Sequence, residues 1–476
     1  MYDVLIIGAG VCGTLTAREL TKRGCKVLFV DKGPDAASGA SRANSGIVHA
    51  GFDAQNGTLK ARLNVKGCAM MPQVAKELDV EYKNTPSLVV CLSEEDRPTL
   101  EALYERGVKN GVPNLRIIER EELKKAEPNI SDDAVAALYA PSAGIISPYE
   151  LAITAGENAV QNGAHYRFGF EVKTIEPCDG GYTVSDGKES VSARFIVNAA
   201  GLYSDVIASL CGDCDFTLIP RKGEYMLFDK NVAGCVRNVL FPLPTKAGKG
   251  VLVAPTADGN MLIGPNANVT DKDDTTTSAK GLSEIHEQAK KLMPNLPPLS
   301  TVITSFAGLR PTPSTGDFII KPSKKYPHIL HFCGIESPGI ASSPAIAEYA
   351  AEMLSEMGLS YTENASFDPC RKKVLRMREM TNEQRKAAIE ADPSYGKIIC
   401  RCETVTEGEI LDAIRRPMGA TTVDGVKRRT RAGMGRCQGG FCMPRVTELL
   451  AREKKCDFTE IRKFDEESVI LVGKTK

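Results

Sequence analysis

The amino-acid sequence predicts an α/β fold in three parts: a Rossmann-like domain, an antiparallel sheet interleaved with it, and a small helical unit near the C-terminus. The first part is indicated by a short apolar run, Val4–Ile7, that leads into a glycine-rich turn and a helix. The second is indicated by β-rich stretches in the middle of the chain, such as Tyr225–Phe228 and residues 250–254. The third is indicated by two cysteine pairs near the C-terminus.

Composition sets limits on function. The chain has 476 residues, more than one ordinary domain, and its 42% hydrophobic and 25% charged residues are typical of a globular protein. Its 60 basic and 60 acidic side chains cancel, so no overall field attracts nucleic acid or an anionic membrane. No apolar run reaches the roughly 18 residues of a membrane span, and no cleavable leader precedes the first strand. We therefore expect a cytoplasmic protein without a direct membrane span, whose membrane contact would be through a partner subunit.

The glycine-rich turn has the spacing of a dinucleotide site. Gly8, Gly10 and Gly13 lie between the first strand and a helix expected over about residues 14–22. Gly8 permits the tight turn, Gly10 lets the backbone approach a pyrophosphate, and Gly13 lets the helix pack closely on the strand. Asp31 follows a second buried strand, residues 26–30, where its carboxylate can accept hydrogen bonds from a ribose. This motif does not distinguish FAD from NAD, because both present the same adenosine diphosphate end.

Four segments, Gly39–Gly51, Asn198–Asp205, Phe306–Pro311 and Gly334–Ile340, resemble the FAD-contacting segments of the D-amino-acid-oxidase-like flavoenzymes. The resemblance extends over roughly residues 1–365 and implies FAD, with its isoalloxazine ring at the border of two domains. It implies contacts to the pyrophosphate and flavin from Ser41, Arg42, Asn44, Ser45 and Gly46, to the ribityl-pyrophosphate region from Ala200 and Gly201, and to the pyrimidine side from Ser337, Pro338, Gly339 and Ile340. Proline and glycine just before a helix support the last group, because exposed N–H groups there stabilise the charge of reduced flavin.

The C-terminal unit contains Cys400 and Cys402, and further along Cys437 and Cys442. Structural zinc usually takes its cysteines from CxxC-like knuckles, so the CxC spacing favours an iron–sulfur cluster, with zinc and unligated or disulfide-bonded cysteines as alternatives. The unit resembles the domain typified by bacterioferritin-associated ferredoxin, which implies a [2Fe-2S] cluster on these four thiolates. A basic run beside it is expected to balance cluster charge or to dock an acidic partner rather than nucleic acid; it comprises Lys427, Arg428, Arg429, Arg431 and Arg436.

These features predict the domain organisation. We expect an FAD-dependent oxidoreductase over residues 1–365, followed by a linker (366–397), a [2Fe-2S] domain (398–455) and a tail (456–476). The FAD-binding parts are expected at about 1–85, 145–215 and 330–365, and the substrate-binding parts at about 86–144 and 216–329.

A flavin accepts two electrons as a hydride, whereas an iron–sulfur cluster passes them singly. One chain with both predicts a dehydrogenase that exports electrons to a partner protein or subunit. The layout is similar to that of the A subunits of anaerobic glycerol-3-phosphate dehydrogenases, which implies oxidation of sn-glycerol 3-phosphate to dihydroxyacetone phosphate. Segments 45–51, 59–65 and 220–225 also resemble L-2-hydroxyglutarate dehydrogenases. Oxidation of another 2-hydroxy acid, an amino- or imino-acid dehydrogenase subunit of the opine or proline type, and a redox sensor without turnover are alternatives.

A small anionic substrate requires a cation in the pocket, and Arg310 in Gly-Leu-Arg-Pro is the first candidate, with a structural ion pair as its alternative. His49 is the candidate for removing the hydroxyl proton, because imidazole titrates near working pH and the resemblance places it beside the flavin ring. A core or flavin-tethering histidine is the alternative. Arg221, Glu224 and Tyr225 are weaker pocket candidates, for which a structural role is the alternative.

Overall fold

The computed structural model describes residues 1–213, 215–244 and 250–473. Within them, two large sheets of eight and nine strands form the body of the protein, and two small sheets have three and two strands. Helices cover the eight-stranded sheet, and the C-terminal unit has an apolar core of its own. This architecture agrees with the three-part α/β prediction.

The eight-stranded sheet contains the predicted nucleotide-binding strands. At its centre Tyr2–Ile7 pairs in parallel with Val27–Asp31 and with Ser190–Asn198. Alternate residues of the first strand enter apolar clusters on opposite faces of the sheet, which explains why its sequence is a continuous apolar run. The other strands are His165–Phe168, Thr174–Cys178, Gly181–Ser185, Ile319–Pro322 and Ile329–Cys333. The strand Ile319–Pro322 thus pairs within this sheet, although the sequence assigns it to the substrate-binding parts.

Four long helices pack on one face of the eight-stranded sheet: Val11–Lys22, Leu59–Leu78, Pro148–Gln161 and Gly339–Glu356. The second begins after Thr58, whose hydroxyl accepts a hydrogen bond from the N–H of Ala61. At Gly67 this helix approaches the fourth so closely that a Cβ would lie 2.2 Å from the Ala341 carbonyl oxygen. The shorter helix Ser204–Leu210 contributes to the apolar cluster on the other face.

The nine-stranded sheet is antiparallel except for one pair of strands. Its longest strands, Leu218–Phe228 and Val302–Pro313, are antiparallel neighbours. The parallel pair is Val239–Pro242 with Ser87–Cys91. The remaining strands are Arg116–Glu119, Ala136–Ala140, Leu252–Pro255, Met261–Gly264 and Asn268–Val269. Three helices pack against this sheet: Arg97–Lys109, Arg120–Ala126 and Ala279–Leu292.

The C-terminal unit begins with a hairpin that pairs Ile398–Cys400 with Val405–Thr406. Its helices are Glu407–Arg415, Val423–Thr430 and Met443–Lys454, and the helix Asn382–Ala391 precedes it. A third sheet joins Ile47–Val48, Tyr82–Lys83 and Gly144–Ile146. Short 3-10 turns lie at Ala40–Arg42, Glu94–Asp96, Gly201–Tyr203, Lys230–Cys235, Leu299–Thr301, Met377–Glu379, Pro393–Gly396 and Phe458–Glu460. None of the helices in the described ranges is both long and apolar enough to cross a membrane.

The segments expected to be a linker and a tail are anchored to the rest of the protein. Arg371 in the linker is 6% exposed and pairs with Glu157 at 2.7 Å. In the tail, Ile461 is fully buried in the core of the C-terminal unit. The tail carbonyls of Arg462 and Lys463 also accept hydrogen bonds from the start of a helix in that unit. Both segments therefore help fix the unit in place.

Candidate functional site

The glycine-rich turn lies at the carboxyl end of the first strand, against the end of its parallel neighbour. Gly8 has a φ of 110°, and a Cβ there would lie 2.3 Å from the Ala199 carbonyl oxygen. A Cβ on Gly13 would lie 1.9 Å from the Gly8 carbonyl oxygen. Both glycines are thus required by close packing of backbone on backbone. The same contacts place Ala200 beside the turn, because its Cα is 3.0 Å from the Cβ position of Gly8.

The helix after this turn begins with donors suited to a phosphate. Gly10 precedes Val11–Lys22, and this helix has no side-chain cap at its N-terminus. The Ser41 hydroxyl accepts a hydrogen bond from the N–H of Val11 at 3.0 Å, so Ser41 lies beside the glycine-rich turn. Uncapped N–H groups and the positive end of the helix dipole fit a pyrophosphate.

Asp31 supports the turn from the neighbouring strand. Its two carboxylate oxygens accept hydrogen bonds from the N–H groups of Ala9 and Gly33, each at 2.7 Å. Burial raises the pKa of this carboxyl, against the effect of those two donors. Each oxygen keeps a second lone pair, so a ribose hydroxyl fits beside the backbone contacts.

The loop Gly39–Gly51, hereafter the flavin loop, passes between the parts of the protein. Asn44 fixes its shape by donating to the Ala40 carbonyl at 3.0 Å and accepting from the N–H of Gly46 at 2.9 Å. Gly46 has a φ of 66° and lies against the Ile146 carbonyl, so a larger residue is excluded. Arg42 instead stacks on Phe464 of the C-terminal unit, with its Cζ 4.3 Å from the ring centroid.

The two remaining groups of predicted FAD contacts are turns at helix starts. Gly201, with a φ of 56°, opens the short turn before the helix Ser204–Leu210. Pro338 occupies the N-cap position of the helix Gly339–Glu356, which also lacks a side-chain cap. Ser337 precedes that cap, and Ile340 lies in the first turn. The uncapped start gives the N–H donors that the sequence predicts.

One face of the nine-stranded sheet lies against the flavin loop. Gly308 identifies it, because a Cβ there would lie 1.9 Å from the Ala43 carbonyl oxygen. Arg221 and Arg310 are paired residues on adjacent antiparallel strands, so both side chains are on one face. The alternation of side chains along a strand places Gly308 and Arg310 on that same face. Two like charges therefore lie side by side toward the flavin loop, an arrangement that favours a bound anion.

Arg310 is held by neutral groups. Its guanidinium donates to the Asn266 carbonyl at 3.0 Å and to the hydroxyl of Tyr225. Gly223 leaves room for it, since a Cβ there would lie 2.6 Å from the Arg310 Nη2 atom. No carboxylate in the described part of the chain pairs with Arg310, so the alternative of a structural ion pair is not seen. Tyr225 itself stacks on Phe306, with 4.8 Å between the ring centroids.

Glu224 points to the opposite face of the sheet. Its carboxylate accepts hydrogen bonds from the N–H of Ser278 at 2.5 Å and from the Asn266 side chain at 2.7 Å. It is 1% exposed and lies at the start of the helix Ala279–Leu292. Glu224 is therefore structural, and the weaker prediction that it lines the pocket is wrong.

His49 lies at the end of the flavin loop, beside the turn that precedes the helix Gly339–Glu356. Its Nε2 is 3.4 Å from the Ser337 hydroxyl, and its ring packs against Phe241 at 5.6 Å between centroids. Asn64 donates to its backbone carbonyl at 2.6 Å. Glu336, next to Ser337, accepts a hydrogen bond from Thr312, two residues beyond Arg310 in the same strand. These contacts bring His49 and the arginine face to one region.

The four cysteines of the C-terminal unit form two pairs. The Sγ atoms of Cys402 and Cys437 are 3.6 Å apart, and the thiols of Cys400 and Cys442 are hydrogen-bonded to each other. The 3.6 Å separation excludes a disulfide, whose sulfurs are about 2.05 Å apart. The first pair is partly exposed, whereas Cys400 and Cys442 are 1% and 2% exposed.

This pairing fits a two-iron cluster. Two thiolates on one tetrahedral metal at about 2.3 Å lie roughly 3.8 Å apart, close to the Cys402–Cys437 distance. The hydrogen bond from Cys442 outweighs burial and, with N–H donors from Gly433, Glu403 and Cys402, lowers the pKa of Cys400 to about 6. The same hydrogen bond raises the pKa of the Cys442 thiol, so in each pair one cysteine is favoured as the thiolate: Cys400 in this pair and Cys437 in the other.

The basic run near the cysteines faces inward. Arg428, Arg429 and Arg431 are 6%, 9% and 7% exposed. Arg429 pairs with Asp35 at 2.6 Å and Arg431 with Glu403 at 2.8 Å. The alternative that this run docks a partner is therefore wrong for these three residues, whereas the alternative that it balances cluster charge stays a prediction. Arg429 joins the unit to Asp35, and Arg431 joins it to Asp258.

Comparison with known proteins finds two family models that match this chain. A family model described as FAD-dependent oxidoreductase matches residues 3–353. The chain belongs to the FAD-dependent oxidoreductase family. A second model, the BFD-like [2Fe-2S] binding domain, matches residues 398–452. The cofactors of this oxidoreductase are FAD and a [2Fe-2S] cluster, as the sequence predicts.

Similar proteins extend the match over the whole chain. The oxidoreductase is 46% identical to a glycerol 3-phosphate dehydrogenase of Caloramator mitchellensis, over 100% of this chain and 99% of that protein. It is 32% identical to human mitochondrial L-2-hydroxyglutarate dehydrogenase over 56% of this chain and 61% of that protein. Among solved structures, the dithionite-reduced L-α-glycerophosphate oxidase of Mycoplasma pneumoniae with FAD bound superimposes with a TM-score of 0.74 at 31% identity, covering 79% of this chain and 99% of that one.

The residues that join the two redox parts were not predicted from the sequence. Tyr149, Asp258 and Asn260 all contact Arg431 from the flavoenzyme part. They are far apart along the chain and belong to no local motif, so only their contacts in the fold identify them.

Proposed function

We propose that the protein is an FAD-dependent dehydrogenase that oxidises sn-glycerol 3-phosphate to dihydroxyacetone phosphate and passes the electrons through its [2Fe-2S] cluster to a partner acceptor. The observation that carries this proposal is the 46% identity to a glycerol 3-phosphate dehydrogenase, which extends through the oxidoreductase and the cluster domain alike. The paired arginines Arg221 and Arg310 support it, because a phosphate dianion suits two adjacent cations, neither of which has a carboxylate partner among the residues that the structure describes.

The nucleotide and the cluster would be held by the residues already described. For FAD these are Gly8, Gly10, Gly13, Asp31, Ser41, Arg42, Asn44, Ser45, Gly46, Ala200, Gly201, Ser337, Pro338, Gly339 and Ile340; for the cluster, Cys400, Cys402, Cys437 and Cys442. When bound, FAD accepts a hydride and the cluster passes electrons singly.

The chain's own groups orient the substrate and take up its proton. Arg310, with Arg221 opposite it, binds the substrate phosphate. His49 accepts the proton that leaves the secondary hydroxyl as the adjacent C–H bond breaks with loss of a hydride and the carbonyl forms. Ser337 and Asn64 hold the histidine in place through its ring and its carbonyl.

Anaerobic mixing tests the substrate. Purified protein is mixed in separate experiments with glycerol 3-phosphate, L-2-hydroxyglutarate and several amino acids, and flavin absorbance and the cluster's electron paramagnetic resonance (EPR) signal are followed. We expect glycerol 3-phosphate to bleach the flavin first and then to reduce the cluster. If only L-2-hydroxyglutarate bleaches the flavin, the substrate is a 2-hydroxy acid instead. This is the second candidate function, favoured by the partial match to L-2-hydroxyglutarate dehydrogenase. Release of ammonia would indicate an amine substrate. If no compound bleaches the flavin, the protein is a redox sensor.

The proton acceptor is tested by His49→Gln, with the exposed His165→Gln as matched control. Loss of the acidic limb in the pH dependence of flavin reduction is expected only in the first variant. An unchanged profile would remove His49 from this role.

A partner would meet the cluster on its exposed side. Cys402 is exposed, and Phe441, next to the buried Cys442, is 85% exposed. An exposed aromatic side chain beside a redox centre suits the small interface of an electron-transfer encounter. We propose a cytoplasmic enzyme that reaches any membrane acceptor through such a partner.

A further inference from the structure

The exposed side of the cysteine unit presents cations around one aromatic side chain. Phe441 is 85% exposed, and among the phenylalanine and tyrosine side chains that the structure describes the next most exposed is Tyr166, at 37%. Three arginines close to the cysteines in the sequence are exposed as well: Arg401, Arg436 and Arg445. We call these three arginines and Phe441 the cluster surface.

The chain ties each member of the cluster surface to the cysteines. Arg401 lies between two of them, and Arg436 and Phe441 each directly precede one. Arg445 lies in the first turn of the helix that begins after Cys442. The four cysteine sulfurs meet in two pairs, so the loops that carry them are gathered around one centre. A protein that touches the cluster surface is therefore close to the redox centre.

The carboxylates at the cluster surface do not cancel its charge. The Arg401 side chain has no hydrogen bond or ion pair with any residue that the structure describes. Arg436 pairs with Asp229 at 3.1 Å, and Arg445 pairs with Glu448 at 2.8 Å. Both arginines remain largely in water, where an ion pair is weak and a second anion can still approach.

Two further carboxylates beside the cysteines are paired with other cations. Glu403 is buried and pairs with Arg431 at 2.8 Å. Glu407 pairs with Lys397 at 3.6 Å and with Arg452 at 3.2 Å. Cations therefore predominate here, although the chain as a whole has 60 basic and 60 acidic side chains. The positive charge is local to this surface.

We propose that the cluster surface binds an acidic protein that accepts single electrons, with Phe441 at the centre of the contact and the arginines at its rim. This rests on the proposed export of electrons through the cluster and specifies the partner that receives them. An apolar centre within a polar rim is the usual anatomy of a protein interface. Charges of opposite sign on the two rims speed the encounter and fix its orientation.

The electron count agrees with short encounters of this kind. Each encounter removes one electron from the enzyme and reduces one acceptor, so two acceptors are reduced for each substrate molecule that delivers two electrons. The partner must therefore leave and be replaced, as a small, charge-guided interface permits. A second copy of this chain is a poorer occupant, because two identical cationic surfaces repel each other.

Electron transfer from chemically reduced enzyme tests the surface. The holoenzyme, loaded with FAD and cluster, is reduced with stoichiometric dithionite, so the identity of the substrate has no part in the test. It is then mixed anaerobically with cytochrome b5, an acidic one-electron acceptor, or with cytochrome c, a basic one, and haem absorbance is followed. We expect the rate constant for cytochrome b5 to fall by about tenfold or more between low salt and about 0.5 M salt, and that for cytochrome c not to fall.

Variants separate charge steering from contact. The double variant Arg401→Gln and Arg436→Gln should lower the low-salt rate constant with cytochrome b5 by about tenfold and flatten its salt dependence. Arg445→Gln, three residues beyond the last cysteine, should lower it by about threefold. Phe441→Ala should lower it at low and high salt alike, because the apolar centre is lost. Arg194→Gln removes an exposed arginine on the eight-stranded sheet and is the matched control, with no expected change.

A binding measurement requires no electron transfer. With both proteins oxidised, the fluorescence anisotropy of labelled cytochrome b5 should rise as enzyme is added at low salt. The double variant should weaken this binding by about tenfold, whereas Arg194→Gln should bind like the unchanged enzyme. The cluster's EPR signal after reduction shows that each variant retains the cluster.

Three results would overturn the proposal alone. The first is a rate constant with cytochrome b5 that depends on salt no more than that with cytochrome c. The second is an equal effect of the arginine variants and of Arg194→Gln. The third is a dimer in sedimentation that dissociates in Phe441→Ala, because a second copy would then cover the surface. Reduced enzyme without any cluster EPR signal would refute the proposed electron export, and this proposal with it.

Discussion

Replacing Arg431 by glutamine should loosen the attachment of the C-terminal unit to the flavoenzyme. The Arg431 side chain is nearly buried, and its guanidinium bridges three parts of the chain. It pairs with Asp258 at 2.5 Å on the nine-stranded sheet and with Glu403 at 2.8 Å, directly after Cys402. It also lies 3.3 Å from the hydroxyl of Tyr149 at the start of the helix Pro148–Gln161. Glutamine removes the positive charge and leaves two nearly buried carboxylates.

The size of the effect follows from those two carboxylates. Removing one member of a buried ion pair costs about 3–5 kcal/mol, because the remaining charge has no partner. Glu403 keeps a second partner, Lys230 at 2.8 Å, so only Asp258 is left without one. We therefore expect a loss of stability at the lower end of that range, about 3 kcal/mol. In a unit of this size that corresponds to a fall of about 10–20 °C in its unfolding midpoint.

The assay is anaerobic heating followed by the visible circular dichroism of the cluster, with flavin release recorded separately. The cluster signal should be lost at lower temperature in Arg431→Gln, while flavin release should change less. Arg445→Gln is the matched control, since that arginine is exposed and its pairing with Glu448 is at the surface. Adding Asp258→Asn to Arg431→Gln should recover much of the loss, because it removes the unpaired charge. A midpoint within about 2 °C of the unchanged protein would refute the reasoning.

Three further outcomes follow from the structure. Arg310→Gln should lower kcat/KM for glycerol 3-phosphate by about 30–150-fold, the value of a charged hydrogen bond of about 2–3 kcal/mol, with an unchanged flavin spectrum in steady-state assays. His331 is buried with Asn198 against Nδ1 and Asp213 against Nε2, and burial lowers its pKa from 6.5. The native state therefore binds fewer protons than the unfolded state. The contribution of His331 to the free energy of unfolding should be fully present above pH 6.5 and should fall below that pH, by at most about 1.4 kcal/mol per pH unit. Denaturant titrations at several pH values should show that the unfolding free energy of His331→Gln depends less steeply on pH. Cys402→Ser should abolish the cluster's EPR signal, whereas the exposed Cys370→Ser should retain it.

Features encoded by neighbouring residues were predictable from the sequence. The apolar run before Gly8 identifies a buried strand, and the glycine spacing identifies the turn, because both depend on residues within a few positions of each other. The first helix begins at Val11, three residues before the expected start. Gly10, Val11 and Cys12 have modest helix propensity, but the hydrogen bond from the N–H of Val11 to Ser41 stabilises the first turn. That contact comes from a distant loop and is invisible to local propensity.

Features that depend on register or on distant charges were not predictable. The pairing of Arg221 with Arg310 joins strands that are far apart in sequence, and a shift by one residue would have turned Arg310 away from the flavin loop. The same alternation removes Glu224 from the pocket. The basic run illustrates the second limit. Charge runs are usually solvated, but here Arg428 and Arg429 pair with Asp35, and Arg431 pairs with Asp258, both from outside the C-terminal unit.

The small side chains of the flavin loop have more than one cause. Glycine, serine and alanine there predict a backbone that passes close to a flat ligand. In the structure three consecutive residues have three different neighbours: Ser41 meets the glycine-rich turn, Arg42 meets Phe464 of the C-terminal unit, and Ala43 meets Gly308 of the sheet. Small side chains are therefore required by protein contacts as well as by the ligand. Because one short loop touches every part, a displacement of the sheet or of the C-terminal unit acts on the same backbone that is proposed to hold the flavin.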